Sequence, residues 1–91
     1  MKLQEVKKSK RKDKKYVAIF DDGTTTHFGL KGSSTYIDHN DEKKKDAYIA
    51  RHKKDLETND PTRAGYLSYY LLWNKKTLKQ SIADYKKRFN L

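Results

Sequence analysis

The sequence predicts an α+β fold, in which a small antiparallel sheet is followed by three helices. Segments rich in β-branched and aromatic residues, joined by turn residues, occupy the first third of the chain. Helix caps and apolar residues at helical spacing occupy the remainder. Since 91 residues is the length of one domain, we expect a single basic domain over residues 1–91.

Composition favours a folded domain with a thin core. Only 34% of the residues are hydrophobic, but 12% are aromatic, and each aromatic side chain buries a large area. There is no cysteine, which excludes a disulfide framework and a thiolate metal site. No apolar run is long enough to span a bilayer, so no membrane insertion is expected.

The predicted sheet consists of a hairpin and an edge strand. Residues 15–21 have the composition of a strand, Asp22-Gly23 supplies the positive φ angles of a tight turn, and residues 24–28 return as the partner strand. Residues 2–7 form a weaker strand, which we place at the edge. Side chains alternate between the two faces of the first hairpin strand. Val17 and Ile19 therefore lie on one face, and the other face carries Tyr16, Ala18 and Phe20.

The first helix is predicted over about residues 41–56. Asp38, Asn40 and Asp41 are candidate caps, and Glu42 in the first turn suits the helix dipole. The apolar stripe of this helix is narrow, so we expect it to be largely exposed.

The second helix is predicted over about residues 61–74, with Asp60 as its N-cap and Pro61 at the first helical position. It is apolar nearly all round and should be the central buried element. Gly65 within this helix costs about 1 kcal/mol of stability relative to alanine. A glycine is usually kept at such a position because another backbone approaches closely, so we expect a close approach at Gly65.

Aromatic residues of the second helix have two interpretations. They could form a stacking platform for single-stranded bases. Their helical spacing beside leucines favours a core role for Tyr70, Leu71 and Trp73, with Tyr69 exposed and available to a partner.

The third helix is predicted to begin at Thr77, which with Gln80 matches a capping box. Apolar residues then recur at spacings of four, three and four, which is one face of an amphipathic helix. These residues are Leu78, Ile82, Tyr85 and Phe89.

Positive charge is the strongest indication of function. Lys and Arg number 22 against 12 Asp and Glu, a net charge of +10, and the excess is gathered into residues 7–15, 43–54 and 86–88. The last of these clusters has an equally good local explanation, because cations in the last turn of a helix interact favourably with the helix dipole. Residues 1–15 are expected to be either a flexible arm or an edge strand. Charge of this density favours a polyanionic partner: nucleic acid first, with an anionic lipid surface as the alternative.

The candidate phosphate contacts lie in the first two basic clusters and in the loop between them. They are Lys7, Lys8, Lys10, Arg11, Lys12, Lys14, Lys15, Lys31, Lys44, Arg51, Lys53 and Lys54.

The loop at residues 29–36 is a second candidate for phosphate contact. Gly29 and Gly32 permit tight turns, in which successive amides could cradle an anion, and Lys31, Ser33 and Ser34 add donors. The pattern is not that of a phosphate-binding P-loop. The alternative is an ordinary connection between a strand and a helix.

Three histidines permit a metal hypothesis. His27, His39 and His52, with Asp38 and Asp41, could form a mixed metal site or a nuclease centre. Their spacing is loose, which favours separate histidines with local hydrogen bonds. No nucleophilic triad and no pair of carboxylates in an apolar context is evident, so we expect no enzyme, no cofactor and no metal.

A set of short motifs extends over about residues 8–90. They are His27-Phe28-Gly29, Tyr36, His39, Tyr48, Arg51-His52, Asp60-Pro61, Ala64-Gly65, Leu67-Ser68, Leu71-Leu72-Trp73, Ser81 and Arg88-Phe89. In these motifs and their order, the chain resembles a family of small, uncharacterised basic proteins of nucleocytoplasmic large DNA viruses, such as phycodnaviruses and mimivirus-like giant viruses. The chain departs from the family pattern at Thr35, Thr58 and Lys76.

Together these observations predict a non-enzymatic protein that binds nucleic acid without reading its sequence. Double-stranded DNA is the expected partner, in genome packaging or condensation. The resemblance implies a location in the virion and in the host nucleus or a cytoplasmic virus factory. The alternatives are a minor capsid or virion structural protein that binds other virion proteins, and a metal-dependent nuclease.

Overall fold

The computed structural model describes all 91 residues and confirms the predicted α+β class. The three strands form one antiparallel sheet in the order β1-β2-β3, and the helical elements follow. The elements are β1 Leu3–Lys8, β2 Lys14–Phe20, β3 Thr25–Leu30, α1 Tyr36–His39, α2 Glu42–His52, a 3-10 helix Lys53–Thr58, α3 Ala64–Leu67, a π-helical turn Ser68–Leu72, and α4 Leu78–Phe89.

Strand β1 is an edge of the sheet, as predicted for this segment. It pairs with β2 in a register that includes Val6 opposite Ala18 and Lys7 opposite Val17, with an irregularity between Leu3 and Glu5. The Leu3 side chain is buried in the core, and its amide donates to the carbonyl of Leu91. The N-terminal residues are therefore joined to the end of the chain as well as to the sheet.

The hairpin of β2 and β3 forms where the sequence predicts it. Tyr16 pairs with Phe28, and their rings stack with centroids 6.0 Å apart. Gly23 in the turn has a φ of 92°, which glycine adopts without steric cost. Val17 lies on the face opposite the core, yet it is only 6% exposed because its cross-strand partners on both sides flank it. The sheet therefore buries side chains on both faces at its centre.

A short helix, α1, occupies a segment that the sequence predicts as loop. Asp38 lies inside α1 and does not cap the next helix, so that candidate cap is wrong, as is Asn40. The Asp38 carboxylate accepts from the amide and the hydroxyl of Thr35 and from Lys15 Nζ, each at 2.8 Å. Asp41 is the N-cap of α2, as one of the alternatives predicts, and accepts from the amides of Lys43 and Lys44.

We expect Asp38→Asn to lower stability near neutral pH and to flatten the acid limb of the stability curve. Burial raises the pKa of Asp38, but its bonds with Lys15 and Thr35 outweigh burial and leave this pKa below its ordinary value. The ionised group therefore stabilises the fold above the ordinary carboxyl pKa, and this stability is lost as pH falls through the lowered value. Urea unfolding at neutral pH should show a loss of about 1 kcal/mol, because the Asp38 side chain is 40% exposed and water screens its charge.

The matched control is Asp46→Asn, since Asp46 is exposed on α2 and takes part in no ion pair. Stability curves of wild type and Asp38→Asn that run parallel below about pH 4 would contradict this assignment.

Helix α2 ends at His52, earlier than predicted, and the chain tightens into the 3-10 helix. This turn brings Asp55 against Gly65, where a Cβ on the glycine would lie 2.8 Å from Asp55 Cβ and 3.6 Å from the Asp55 carbonyl oxygen. The close approach predicted at Gly65 is confirmed. The prediction that α2 is largely exposed is also confirmed, because Tyr48 is its only buried residue.

The predicted N-terminus of the second helix is wrong. The Asp60 carboxylate accepts from the amide and hydroxyl of Thr62 in a turn, and helix α3 begins only at Ala64. The Tyr85 hydroxyl donates to the Pro61 carbonyl, and Thr26 Oγ1 donates to the Thr62 carbonyl. These carbonyls accept from distant side chains where a helix would have them accept from its own amides.

The central helical segment then widens into a π-helical turn, in which hydrogen bonds join residues five apart. Such a turn places Leu67 over both Leu71 and Leu72, and all three are fully buried. The core prediction is confirmed for Leu71 and Trp73. Tyr70 is partly buried against the core, and so is Tyr69, which the sequence predicts as exposed.

Helix α4 closes the core with the predicted face. Thr77 Oγ1 accepts from the Gln80 amide at 3.1 Å, which is the N-cap bond of the predicted box. Tyr85 is fully buried, and three more residues of the face pack against the core: Leu78, Ile82 and Phe89. None of the helices combines the length and hydropathy that a bilayer span needs.

Candidate nucleic-acid interface

Residues 7–15 form the turn between β1 and β2 with the adjoining strand ends, and we call this segment the basic hairpin. Of the two structures expected for residues 1–15, the structure has the edge strand. Ser9 is 8% exposed; its hydroxyl accepts from the Arg11 amide and lies 2.7 Å from His27 Nδ1, while its own amide donates to the Lys15 carbonyl. The turn is therefore held from inside, and Lys10, Arg11 and Lys12 project into solvent.

Two cations of the basic hairpin have partners within the protein. Lys15 is half-buried and donates to Asp38 and to the Ser33 carbonyl, both at 2.8 Å. It joins the sheet to the loop before α1, so its role is structural and it is not free to bind phosphate. Arg11 lies 3.8 Å from Asp13 with both side chains exposed, an ion pair that contributes little. The other lysines of the hairpin have no acidic partner: Lys7, Lys8, Lys10, Lys12 and Lys14.

The loop at residues 29–36 does not form the predicted cradle of successive amides. The amides of Lys31, Ser33 and Thr35 donate to Asp13, Leu30 and Asp38 respectively. The Ser33 hydroxyl also donates to the Leu30 carbonyl at 2.8 Å. Among the loop's predicted donors, the exposed Lys31 ammonium and the Ser34 hydroxyl and amide keep no partner within the protein.

A groove of about 490 Å³ lies between the start of β2, this loop, the end of α2 and α3. Lys14 of the basic hairpin lines one side of it, and Arg51 of the second basic cluster lines another. Neither cation has an acidic partner in the chain. The groove also contains hydroxyl and ring side chains, which include Ser34, Ser68, His52 and Trp73.

Three stacked rings form one wall of the groove. His52 lies on Tyr48 with centroids 4.1 Å apart and planes at 20°, and Tyr48 lies on Trp73 at 4.3 Å and 5°. Burial raises the pKa of Tyr48 to about 12, with a further contribution from the Asp55 charge. The Tyr48 hydroxyl therefore remains a neutral donor throughout the physiological range.

The three histidines lie apart, on β3, α1 and α2. His27 is bonded to Ser9, His39 Nδ1 accepts from the Asp41 amide at 2.9 Å, and His52 Nδ1 lies 3.0 Å from Asp55. No group of three His, Cys, Asp or Glu side chains in the chain could hold a metal ion. The structure therefore does not bring the residues of the metal hypothesis together.

The remaining basic residues divide into free and engaged groups. Lys44, Lys53 and Lys54 are exposed and have no acidic partner. Lys45, in contrast, donates to the Asn74 carbonyl at 2.7 Å and lies over the Tyr36 ring. In the C-terminal cluster, Arg88 pairs with Asp84 and covers Tyr70, which agrees with a local role.

Sequence reasoning found the cations of the groove but missed the groove itself. The sequence predicts no site role for Ser68 or Tyr48, and Trp73 enters only the stacking-platform interpretation, to which a core role is preferred. The only signal was the spacing of Tyr48 and His52, four residues apart on one helix face.

Fold and site define the chain as a small basic α+β domain with a cationic groove walled by aromatic rings. It belongs to a family of unknown function, DUF5754, whose sequence profile matches residues 4–52. The matched region contains the sheet except for Leu3, together with α1 and α2, and so includes the basic hairpin and Arg51. No curated protein and no solved structure matches the chain at a significant level.

Proposed function

We propose that this protein binds nucleic acid without reading its sequence, through release of the counterions condensed on phosphate. The observation that carries the proposal is the groove, because it joins Lys14 from the basic hairpin to Arg51 from the second basic cluster. Charges far apart in the sequence thus contribute to one surface. The proposed contacts are Lys7, Lys8, Lys10, Arg11, Lys12, Lys14, Lys31, Lys44, Arg51, Lys53 and Lys54.

The chemistry of these contacts supports binding to the backbone of the nucleic acid rather than to base edges. Most are lysines, which present a mobile point charge and lack the rigid bidentate fork that arginine uses on guanine. Double-stranded DNA is the proposed partner. In the viral setting that the sequence resemblance implies, the role would be genome packaging or condensation.

We expect a triple variant of the hairpin turn, Lys10→Gln with Arg11→Gln and Lys12→Gln, to weaken binding to all duplex sequences alike. These side chains project from a turn that Ser9 holds, so their neutralisation should leave the sheet intact. Loss of three phosphate contacts should reduce the slope of log K against log salt by about 2.7. Gel-shift titrations at several salt concentrations, with two duplexes of unrelated sequence, measure both quantities.

A matched control removes the same charge from α4, by Lys79→Gln with Lys86→Gln and Lys87→Gln, which are exposed outside the proposed surface. If the two triple variants reduce the salt slope equally, charge acts only in bulk and the hairpin has no special part. Salt-resistant assembly with a virion protein, without retention on DNA, would instead favour the structural alternative.

A further inference from the structure

The groove has an unbalanced positive charge. Lys14 and Arg51 line it without an acidic partner. Its only acid, Asp55, lies 3.0 Å from His52 Nδ1 and is therefore engaged. The site has a local excess of positive charge, which suits one anionic group.

The groove also offers unused hydrogen-bond donors beside these cations. Neither the amide nor the hydroxyl of Ser34 has a partner within the protein, whereas the adjacent Thr35 donates both of its groups to Asp38. A phosphate group accepts well from such donors when cations stand beside them. Ser34, Lys14 and Arg51, which line the same groove, are the donors available to a phosphate there.

The ring stack ends at an aromatic face that no other ring of the chain covers. Trp73 and His52 occupy the two faces of Tyr48, while the outer face of His52 meets no aromatic neighbour. The His52 side chain is 41% exposed. A flat heterocycle placed on His52 would extend the stack by one member, which is how proteins hold unpaired bases.

The size of the groove agrees with a ligand of one nucleotide. Its volume of about 490 Å³ lies within the range of roughly 300–1,000 Å³ that small-molecule sites occupy. Apolar side chains of Leu30, Ala64 and Leu72 complete the lining. The surface therefore combines charge, donors, a ring face and apolar contact in one concavity.

We propose that the groove binds one unpaired nucleotide of a single-stranded segment. Its phosphate contacts Lys14, Arg51 and Ser34, and its base stacks on His52. The inference rests on the proposed function for the nature of the ligand, and it adds a preference for strands whose bases are exposed. Duplex DNA would contact the cations of the surface through its phosphates, but its bases, which are stacked with one another, would not reach His52.

Trp73 makes the test direct, because it is the only tryptophan and it lines the groove. Its fluorescence is to be titrated with an eight-nucleotide oligothymidine, a blunt duplex, thymidine monophosphate and inorganic phosphate at equal ionic strength. We expect saturable changes with the oligothymidine and with the monophosphate, and none with inorganic phosphate. Equal responses to the two phosphates would show an anion site and overturn the nucleotide assignment.

Substitution of His52 separates stacking from charge. His52→Ala should lower the affinity for oligothymidine about tenfold and leave duplex affinity and its salt slope unchanged. His52→Phe, which keeps a ring at this position, should retain most of the single-strand affinity. If alanine and phenylalanine variants lose oligothymidine affinity equally, His52 does not stack on a base and the inference is wrong.

Failure of this inference differs measurably from failure of the proposed function. Absence of duplex binding together with saturable binding of thymidine monophosphate would refute the proposed function and leave the groove site standing. Salt-dependent duplex binding, with a Trp73 signal that neither oligothymidine nor the monophosphate changes, would refute the groove site alone.

Discussion

Leu71→Ala is expected to remove about 3–5 kcal/mol from the free energy of unfolding. Leu71 is 0% exposed, in the π-helical turn at the centre of the core, and surrounding aromatic rings leave little room for collapse around a cavity. A chain of 91 residues has a total stability of about 5–14 kcal/mol. The variant should therefore unfold at a much lower urea concentration than the wild type.

The same substitution at an exposed leucine is the control. Leu30 at the end of β3 is 67% exposed, so Leu30→Ala should change the free energy of unfolding by no more than about 0.5 kcal/mol. Urea unfolding followed by circular dichroism measures both variants. Similar midpoints for the two would contradict the placement of Leu71 in the core.

Gly29→Ala is expected to cost about 2–4 kcal/mol, because a backbone term and a packing term add. Gly29 has a φ of +80°, which strains any residue with a Cβ. A Cβ there would lie 2.9 Å from Leu72 Cδ1 and 3.1 Å from Lys15 Cβ. Neither neighbour can move freely, since Leu72 is 1% exposed and Lys15 Cβ belongs to strand β2.

Comparison of Gly29→Ala with Gly23→Ala isolates the packing term of this prediction. Gly23 has a similar φ of +92°, but a Cβ there would meet nothing within 4 Å. Its alanine variant should lose only the backbone term, about 1 kcal/mol. Thermal or urea unfolding of the two variants should differ accordingly, and an equal loss would show that Leu72 and Lys15 adjust to the added methyl group.

The structure changes the meaning of the N-terminal charge. The sequence alone permits a flexible arm, but the strand pairing of β1 and the buried Ser9 hold the basic residues on a hairpin. A fixed hairpin loses less conformational entropy on binding than an arm. It also removes Lys15 from the candidate contacts, since this residue bonds Asp38.

Local patterns predicted most elements because their signals lie within a few residues. Asp22-Gly23 determines the hairpin turn, Asp41 caps α2, and Thr77 caps α4. The predicted N-terminus of the second helix is wrong because Thr26 and Tyr85 donate to backbone carbonyls of this segment. Both donors are distant in the sequence, so no local pattern reveals these hydrogen bonds. The carbonyls that these hydroxyls reach lie in the turn before α3.

The sequence by itself determined the α+β order, the amphipathic face of α4 and the excess of positive charge, because periodicity, caps and composition are local properties. Only the tertiary structure decided which cations are free, since Lys15 and Lys45 find their partners far along the chain. The groove, too, exists only in the tertiary structure. Lys14 and Arg51 line the same groove because the sheet and α2 pack around the same core, and no spacing in the sequence encodes that arrangement.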